Sequence, residues 1–141
     1  MFMGEYNHTV DPKGRLIIPA KFREQLGDEF VVTKGLDGCL FVYPAEEWHN
    51  IEEKFRNISM TSKDARKFSR FFFAGAAAVE LDKQGRILLP PVLREYAQLE
   101  GEAHIIGMDT NLEIWNTELW NAENAEYTPE SIASIVEELN F

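Results

Sequence analysis

The feature that most constrains the fold is an internal repeat. The segment DPKGRLIIPAKFR begins at Asp11, and the related segment DKQGRILLPPVLR begins 71 residues later, at Asp82. Five of the thirteen aligned positions are identical, and four more are apolar in both copies. With a one-residue insertion, the similarity covers residues 2–48 and 73–120. Chance does not explain a match of this length at a nearly constant offset, so the chain contains two copies of one structural unit.

Each copy predicts the same order of elements, β-turn-β-α-β-turn-β. In the first copy, a strand over residues 6–10 leads into Asp-Pro-Lys-Gly at 11–14, which is typical of a type I turn. The apolar segment 16–18 predicts a second strand. Pro19 suits the first turn of a helix that ends before Gly27. Two more strands complete the unit, over residues 30–33 and 40–43.

A unit of about 45 residues rarely builds a sufficient core alone. We therefore expect the two copies to pair and to share one core, which gives an α+β fold. The sequence predicts a first module at 2–50, a helical linker at 51–72, a second module at 73–121 and a helical tail at 122–141.

The linker and the tail have the periodicity of amphipathic helices. Trp48, Ile51 and Phe55 recur at helical spacing, and Thr-Ser-Lys-Asp at 61–64 is typical of a capping box that begins a second linker helix. The tail predicts a helix from 128–130 onward with one apolar stripe, formed by Ile132, Ile135, Val136 and Leu139. Such a stripe must dock on its own chain or on a neighbouring one. We therefore expect a homo-oligomer.

Composition limits the compartment and the cofactors. The 141 residues are 45% hydrophobic and 27% charged, which is typical of a folded globular chain, and the apolar runs are too short to cross a bilayer. The N-terminus lacks the pattern of a signal peptide, and Cys39 has no second cysteine to pair with. A cytoplasmic protein is therefore expected. The three histidines and Cys39 have no metal-ligand spacing, so we expect neither a metal nor an organic cofactor.

The charge is distributed unevenly between the two copies. The net charge of −10 argues against a nucleic-acid binder, but residues 1–72 carry 11 acidic and 11 basic side chains, whereas residues 73–141 carry 13 and 3. Four cations lie within thirteen residues of the first copy: Lys13, Arg15, Lys21 and Arg23. Because screening in physiological salt acts over about 8 Å, a local basic patch on an acidic protein can still bind phosphates.

No catalytic constellation is present, and we expect neither an enzyme nor a small-molecule substrate. Glycine-rich phosphate loops and a nucleophile elbow are absent from the sequence. Cys39 lies in a strand pattern, which indicates a small buried hydrophobe rather than a nucleophile. The aromatic run at 71–73 leads into an apolar segment, which favours core or interface packing over stacking on bases.

The repeated Asp-x-x-x-Arg element permits a structural interpretation. Asp11 caps its turn and pairs with Arg15, and Asp82 and Arg86 do the same in the second copy. An exposed ion pair of this kind stabilises a fold only slightly. Gly14 and Gly85 complete the two turns.

The same element also permits a functional interpretation. An arginine fork on a hairpin suits a phosphate or a guanine edge. Lys21 and Arg23 lie in the first turns of a helix, where the macrodipole disfavours cations, and this favours their placement for a partner. The second copy has Gln84 and Val92 at the positions of Lys13 and Lys21, so the copies are expected to share a fold and divide the work.

Several segments together resemble the MraZ family of bacterial regulators, found at the head of the division and cell-wall gene cluster. They are FMGEYNHTVDPKGRLIIPAKFR, the two Asp-x-x-x-Arg elements, KFSRFFFAGA and ELDKQGRILLP, and the resemblance covers nearly the whole chain. It implies tandem SpoVT-AbrB-type swapped-hairpin modules packed as a pseudo-dimeric, barrel-like core. It also implies a DNA-binding transcription factor that forms rings on short direct repeats upstream of its own operon, acts as a repressor there and is associated with the nucleoid.

The resemblance assigns a DNA contact to Arg15 and to Arg86, with Asp11, Gly14, Asp82 and Gly85 as the structural residues of the motif. The further candidate contacts, from their charge and position, are Lys13, Lys21, Arg23 and Lys83. The expected partners are double-stranded DNA and further copies of the chain, without a membrane. Two alternatives stay open, an AbrB-like antitoxin that binds DNA and a toxin, and a scaffold whose hairpins bind acidic protein surfaces.

Overall fold

The computed structural model describes all 141 residues and shows one pattern of elements twice. The first copy contributes β1 (Glu5–Val10), β2 (Arg15–Ile17), α1 (Ala20–Leu26), β3 (Glu29–Lys34), β4 (Leu40–Pro44), α2 (Ala45–Arg56) and α3 (Lys63–Ala74). The second contributes β5 (Ala77–Glu80), β6 (Arg86–Leu88), α4 (Pro91–Tyr96), β7 (Gly101–Met108), β8 (Asn111–Asn116), α5 (Thr117–Asn124) and α6 (Pro129–Leu139). The expected mixture of helices and strands is confirmed, whereas the module boundaries stay a prediction.

The two copies exchange strands. Six strands form one antiparallel sheet in the order β1-β7-β8-β4-β3-β5, and β2 pairs with β6 in a separate two-stranded ribbon. The first strand of each copy therefore lies beside a strand of the other copy. The large sheet has β1 and β5 as its edges and is not a closed barrel, so the barrel-like core is not confirmed.

The strand registers show a pseudo-two-fold relation between the copies. In the ribbon, Leu16 lies opposite Ile87, and Arg15 and Arg86 lie opposite Leu88 and Ile17. In the large sheet β4 pairs with β8 with Phe41 opposite Glu113, which are equivalent positions of the two copies. The chain therefore forms within itself the kind of contact that a symmetric dimer forms between subunits.

One core serves both copies, as the size of the repeat predicts. Twenty buried residues form a continuous apolar cluster drawn from the two halves. Phe22 and Leu26 of α1 are buried in it, as the helical spacing predicts, and Leu93 of α4 is its counterpart. Burying one such side chain contributes about 1.5–3 kcal/mol, so neither half keeps this stabilisation without the other.

Helices α2 and α3 pack on each other and on the sheet. The ring of Phe72 stacks on Trp48 at 5.5 Å and on Phe55 at 5.2 Å, which confirms that Phe72 is a packing residue. The hydroxyl of Thr33 on β3 donates to the carbonyl of Phe72 at 2.6 Å. These contacts hold α3 against the first copy.

The capping box predicted at 61–64 is wrong by one residue. The cap of α3 is Ser62, whose hydroxyl accepts from the amide of Ala65 at 3.2 Å. The hydroxyl of Thr61 instead lies 2.7 Å from that of Ser59, within the turn before the helix. A local side-chain hydrogen bond thus competes with capping.

Helix α6 begins as predicted but packs on nothing. The hydroxyl of Thr128 accepts from the amide of Ser131, and the Ser131 hydroxyl accepts from the amide of Thr128, which completes a capping box. No residue of α6 is buried. The predicted apolar stripe is therefore present, and its own chain leaves it exposed. No helix in the chain is both long enough and apolar enough to cross a membrane.

Candidate nucleic-acid interface

The β2–β6 ribbon brings the two Asp-x-x-x-Arg turns to one surface. The amide of Ile18 donates to the carbonyl of Gly85 at 2.9 Å, and the amide of Leu89 donates to the carbonyl of Gly14 at 2.9 Å. Each turn is thereby fastened to the strand of the other copy. The surface made by the turns 11–14 and 82–85 and by the outward side of the ribbon is called the ribbon face.

The first turn is closed by the side chain of Asp11. Its Oδ1 accepts from the amides of Lys13 at 3.0 Å and Arg15 at 2.8 Å, and its Oδ2 accepts from Nε of Arg15 at 2.6 Å. The hydrogen bond from the Arg15 amide is the main cause that lowers the pKa of Asp11 below its ordinary value. The Asp11 carboxylate therefore caps the turn and pairs with Arg15.

The second turn repeats this arrangement atom for atom. Oδ1 of Asp82 accepts from the amides of Gln84 at 2.8 Å and Arg86 at 2.9 Å, and Oδ2 accepts from Nε of Arg86 at 2.8 Å. The pKa of Asp82 is likewise lowered, chiefly by the Arg86 amide. The identical residues of the two copies therefore encode one turn geometry.

Two arginines cross from one copy to the other over these turns. Gly14 has φ +89°, and a Cβ there would lie 2.9 Å from Cδ of Arg94. A Cβ at Gly85, where φ is +77°, would clash with the guanidinium of Arg23. Each glycine is thus required twice, for its backbone conformation and for the approach of an arginine.

Arg23 has a structural role that its sequence position does not reveal. Its Nε donates to the carbonyl of Ile18 at 2.8 Å, so the side chain ties α1 to the end of β2. Arg23 therefore has a contact within the chain besides the partner contact that the sequence predicts. The sequence signal for this contact is the glycine at the end of each Asp-x-x-Gly turn, because a residue without a side chain leaves room for an arginine to approach.

The outward side of the ribbon alternates arginine with exposed apolar residues. Because Leu16 and Ile87 point into the core, Arg15, Ile17, Arg86 and Leu88 share the opposite side. Ile17 and Leu88 are exposed, and the side chains of Arg15 and Arg86 are 35% and 26% exposed. Ile17 and Leu88 were not predicted as surface residues, because the sequence shows only an apolar run that reads as a buried strand.

Each turn has one exposed lysine, and the two copies differ in the additional cation Lys21 of α1. Lys13 and Lys21 are exposed and form no ion pair within the chain, whereas the second copy offers only Lys83. Beside α4 lies an open cleft of about 880 Å³, whose lining includes Glu95, Glu100, Glu102 and Glu118. Arg94 of the same cleft covers Gly14, so the strand exchange places the cleft beside the Asp11 turn and places α1 with Lys21 beside the Asp82 turn.

Comparison with known proteins also detects the two copies. A family model described as MraZ protein, antitoxin-like, matches residues 1–71 and again residues 72–139. A relative named transcriptional regulator MraZ from Thermoanaerobacter sp. (strain X514) is 56% identical over 143 residues, covering 100% of both chains. Its namesake from Carboxydothermus hydrogenoformans is 63% identical over 121 residues, which are 86% of this chain and 85% of the relative. The one from Desulfitobacterium hafniense is 57% identical over 139 residues, 99% and 96% of the two chains.

The fold and the two matched halves define a tandem-repeat α+β protein whose copies exchange their first strands and share one core. The chain belongs to the MraZ family, and the resemblance inferred from the sequence is confirmed. The relatives are named as regulators of transcription, which is not an enzymatic activity.

Proposed function

We propose that the chain is a sequence-specific DNA-binding regulator of transcription that acts as a homo-oligomer. One observation carries the proposal. The ribbon face presents the rigidly held Arg15 and Arg86 together with the free cations Lys13 and Lys83, on a protein that is otherwise strongly acidic. DNA requires such a local patch, since the phosphate backbone dominates affinity.

The Asp11 contact supports a reading role for Arg15 as well as a structural one. Asp11 binds the Nε group, and neither Nη group of Arg15 has a hydrogen-bond partner in the chain. Asp11 therefore orients the guanidinium through Nε, and the two Nη groups stay available to a partner. A pre-oriented fork suits the O6 and N7 acceptors of guanine in the major groove.

Lys13, Lys21 and Lys83 are assigned to phosphate contacts, because a lysine is a flexible point charge without the planar fork of arginine. Arg23, which is partly engaged with Ile18, and Arg86, which is less exposed than Arg15, are assigned secondary contacts. We assign the exposed Ile17 and Leu88 to contacts with thymine methyl groups beside the arginines.

Oligomerisation brings together several copies of this small surface, each of which has a low affinity for DNA. One ribbon is three residue pairs long, which is too short for high affinity by itself. In a ring-like oligomer each subunit presents the same face, so short direct repeats in DNA are bound together through effective concentration. We propose that the target lies upstream of the chain's own operon for division and cell-wall genes, that binding represses it, and that the protein is cytoplasmic and associated with the nucleoid.

A gel shift tests the proposal. Purified chain is titrated against the DNA upstream of its own gene and against unrelated DNA of equal length, with Arg15→Ala and the remote surface variant Arg56→Ala alongside. We expect preferential binding of the upstream DNA, its loss in Arg15→Ala and its retention in Arg56→Ala. Equal binding of both DNAs, or none, would contradict sequence-specific regulation.

The antitoxin-like description of the family model favours one second candidate, a regulator that also binds a toxin protein. Such a protein would release DNA or change its oligomeric mass when the toxin is present. A chain that only scaffolds acidic proteins would bind neither DNA in the gel shift.

A further inference from the structure

Helix α6 carries an apolar stripe with the spacing of a binding helix. Ile132, Ile135, Val136 and Leu139 follow i, i+3, i+4 and i+7, and they are 40%, 47%, 42% and 72% exposed. This is the spacing by which an amphipathic helix anchors in a groove. A folded helix with a capping box and no buried residue has not found its packing partner.

The turn before α6 holds the helix away from its own chain. The ring of Tyr127 packs against Trp120 at 6.0 Å, and its hydroxyl donates to Glu123 at 2.7 Å. The hydroxyl of Ser131 also donates to the carbonyl of Glu126 at 2.7 Å. The start of α6 is thereby fixed to α5, and the stripe is presented outward.

An apolar groove with an unfilled cavity lies on the first copy. The cavity has a volume of about 290 Å³ and is formed where α2 and α3 meet β3 and β4. Its walls include Phe41, Ile51, Ile58, Phe68 and Leu36, and the last two side chains are exposed at its mouth. This α2–α3 groove is therefore open to the aliphatic side chains of a partner.

The charges of the groove and of α6 are complementary. Lys54 lines the groove, is exposed and has no ion pair. The adjoining α3 carries four basic residues and one acidic residue, whereas α6 carries three acidic residues and no basic one. Opposite potentials of this kind favour encounter and disfavour the pairing of α6 with a second α6, because the two acidic helices repel.

We propose that α6 of one copy binds in the α2–α3 groove of a second copy. The donor helix belongs to the second repeat and the groove to the first, so every chain has one of each. The contact is heterologous and extends from chain to chain until it closes into a ring. The inference rests on the proposed homo-oligomer, for which it supplies the interface, and it does not require DNA.

Two variants of the full chain test the interface. Ile135→Glu places a charge in the stripe of α6, and Phe68→Glu places one at the mouth of the groove. Light scattering is expected to give a single-chain mass of 16.2 kDa for each variant alone, whereas the unaltered chain forms the oligomer. Ser134→Glu on another side of α6 and Asn50→Glu on α2 are the matched controls, and both should keep the oligomeric mass.

Mixing the two variants gives the decisive result. Each retains one intact half of the interface, so an equimolar mixture should form a species of twice the single-chain mass and nothing larger. Circular dichroism checks that both variants are folded. If Phe68→Glu disturbs the packing, Lys54→Glu takes its place, with at least a tenfold weaker association expected.

Three outcomes would overturn the inference: an oligomer that survives Ile135→Glu, a Phe68→Glu variant as large as the unaltered chain, or a mixture that stays monomeric. The second outcome indicates pairing of α6 with α6. Failure of the DNA-binding proposal gives a different result. If the variants and their mixture have the expected masses but the oligomer does not shift DNA, the interface is supported and only the DNA-binding function is contradicted.

Discussion

The two Asp-x-x-x-Arg turns share their backbone, their hydrogen bonds and one exposed lysine each, yet they differ in the helix that lies over them. The Asp11 turn carries Lys13 and lies under α4 beside the acidic cleft, while the Asp82 turn carries Lys83 and lies under α1, which bears Lys21. The residues that are identical between the copies build the turn. Under the proposed function, the residues that differ between the copies set how strongly each one contacts DNA.

The crossing arginines show a second difference between the copies. Nε of Arg23 is bonded to the carbonyl of Ile18, whereas Nε of Arg94 is buried without a partner over the first turn. An unpartnered buried donor costs free energy, so the cover over Gly14 is held less firmly than the cover over Gly85. The Asp11 turn is thus the less tightly covered of the two.

The largest expected difference is in DNA affinity between Arg15→Ala and Arg86→Ala. Loss of a guanine-reading fork removes about 1–3 kcal/mol per site, and an oligomer repeats the loss in every subunit. Arg86→Ala should lose less, because the side chain of Arg86 is less exposed than that of Arg15 and its fork is less available to DNA. Titration against operator and random DNA at two salt concentrations measures both. Equal losses would show that the two turns are functionally equivalent.

Gly14→Ala and Gly85→Ala should both lower stability, and Gly85→Ala should lower it more, because the arginine over Gly85 is closer and more firmly held. An alanine at positive φ costs about 1–2 kcal/mol, and its Cβ must also displace an arginine side chain at either site. Chemical denaturation of the two variants gives the free energies of unfolding. A loss at one glycine only would mean that the two turns are not structurally equivalent.

Arg23→Met should cost more stability than Arg94→Met. Methionine keeps much of the apolar stem of arginine, so the difference in unfolding free energy between the two variants reports the Nε hydrogen bond. That bond contributes about 1 kcal/mol for Arg23 and is absent for Arg94. Thermal melts of the two variants under one buffer condition provide the comparison. The reverse order would contradict the asymmetry of the two covers.

The smallest expected effect is a pH dependence that the two turns share. The pKa values of Asp11 and Asp82 are lowered in the folded chain, so their ionised forms stabilise it above the ordinary pKa of 3.8. That contribution is lost as the pH falls through the lowered values. The deficit of Asp11→Asn or Asp82→Asn relative to the unaltered chain should therefore be present at neutral pH and disappear in acid, and a deficit constant across the pH range would contradict it.

Local sequence signals predict much of the fold. The Asp-Pro-Lys-Gly turn, the buried positions Phe22 and Leu26, and the cap at Thr128 depend on neighbours within a few residues, and all are observed. Cys39 is buried, and burial raises the pKa of its thiol far above the ordinary value, as expected for an inert packing residue.

The remainder depends on contacts between distant residues. That β1 joins the second copy's sheet and that Arg94 covers Gly14 are relations across about 80 residues or more, and no periodicity encodes them. Ile17 and Leu88 read as core in the sequence because a three-residue ribbon is too short to show alternation. The sequence therefore predicted the charged residues of the ribbon face and missed its exposed apolar residues.

Exchange of the non-identical residues between the copies tests the central claim most directly. Lys13→Gln with Lys21→Val gives the first copy the residues of the second, and Gln84→Lys with Val92→Lys does the reverse; all four positions lie on the exposed surface. We expect the first double variant to lose operator binding with a flatter salt dependence while its melting temperature and oligomeric mass stay unchanged, and the second to bind DNA more tightly. Unchanged operator binding in the first double variant would contradict the claim that the residues differing between the copies, rather than the shared turn, make this chain a DNA-binding protein.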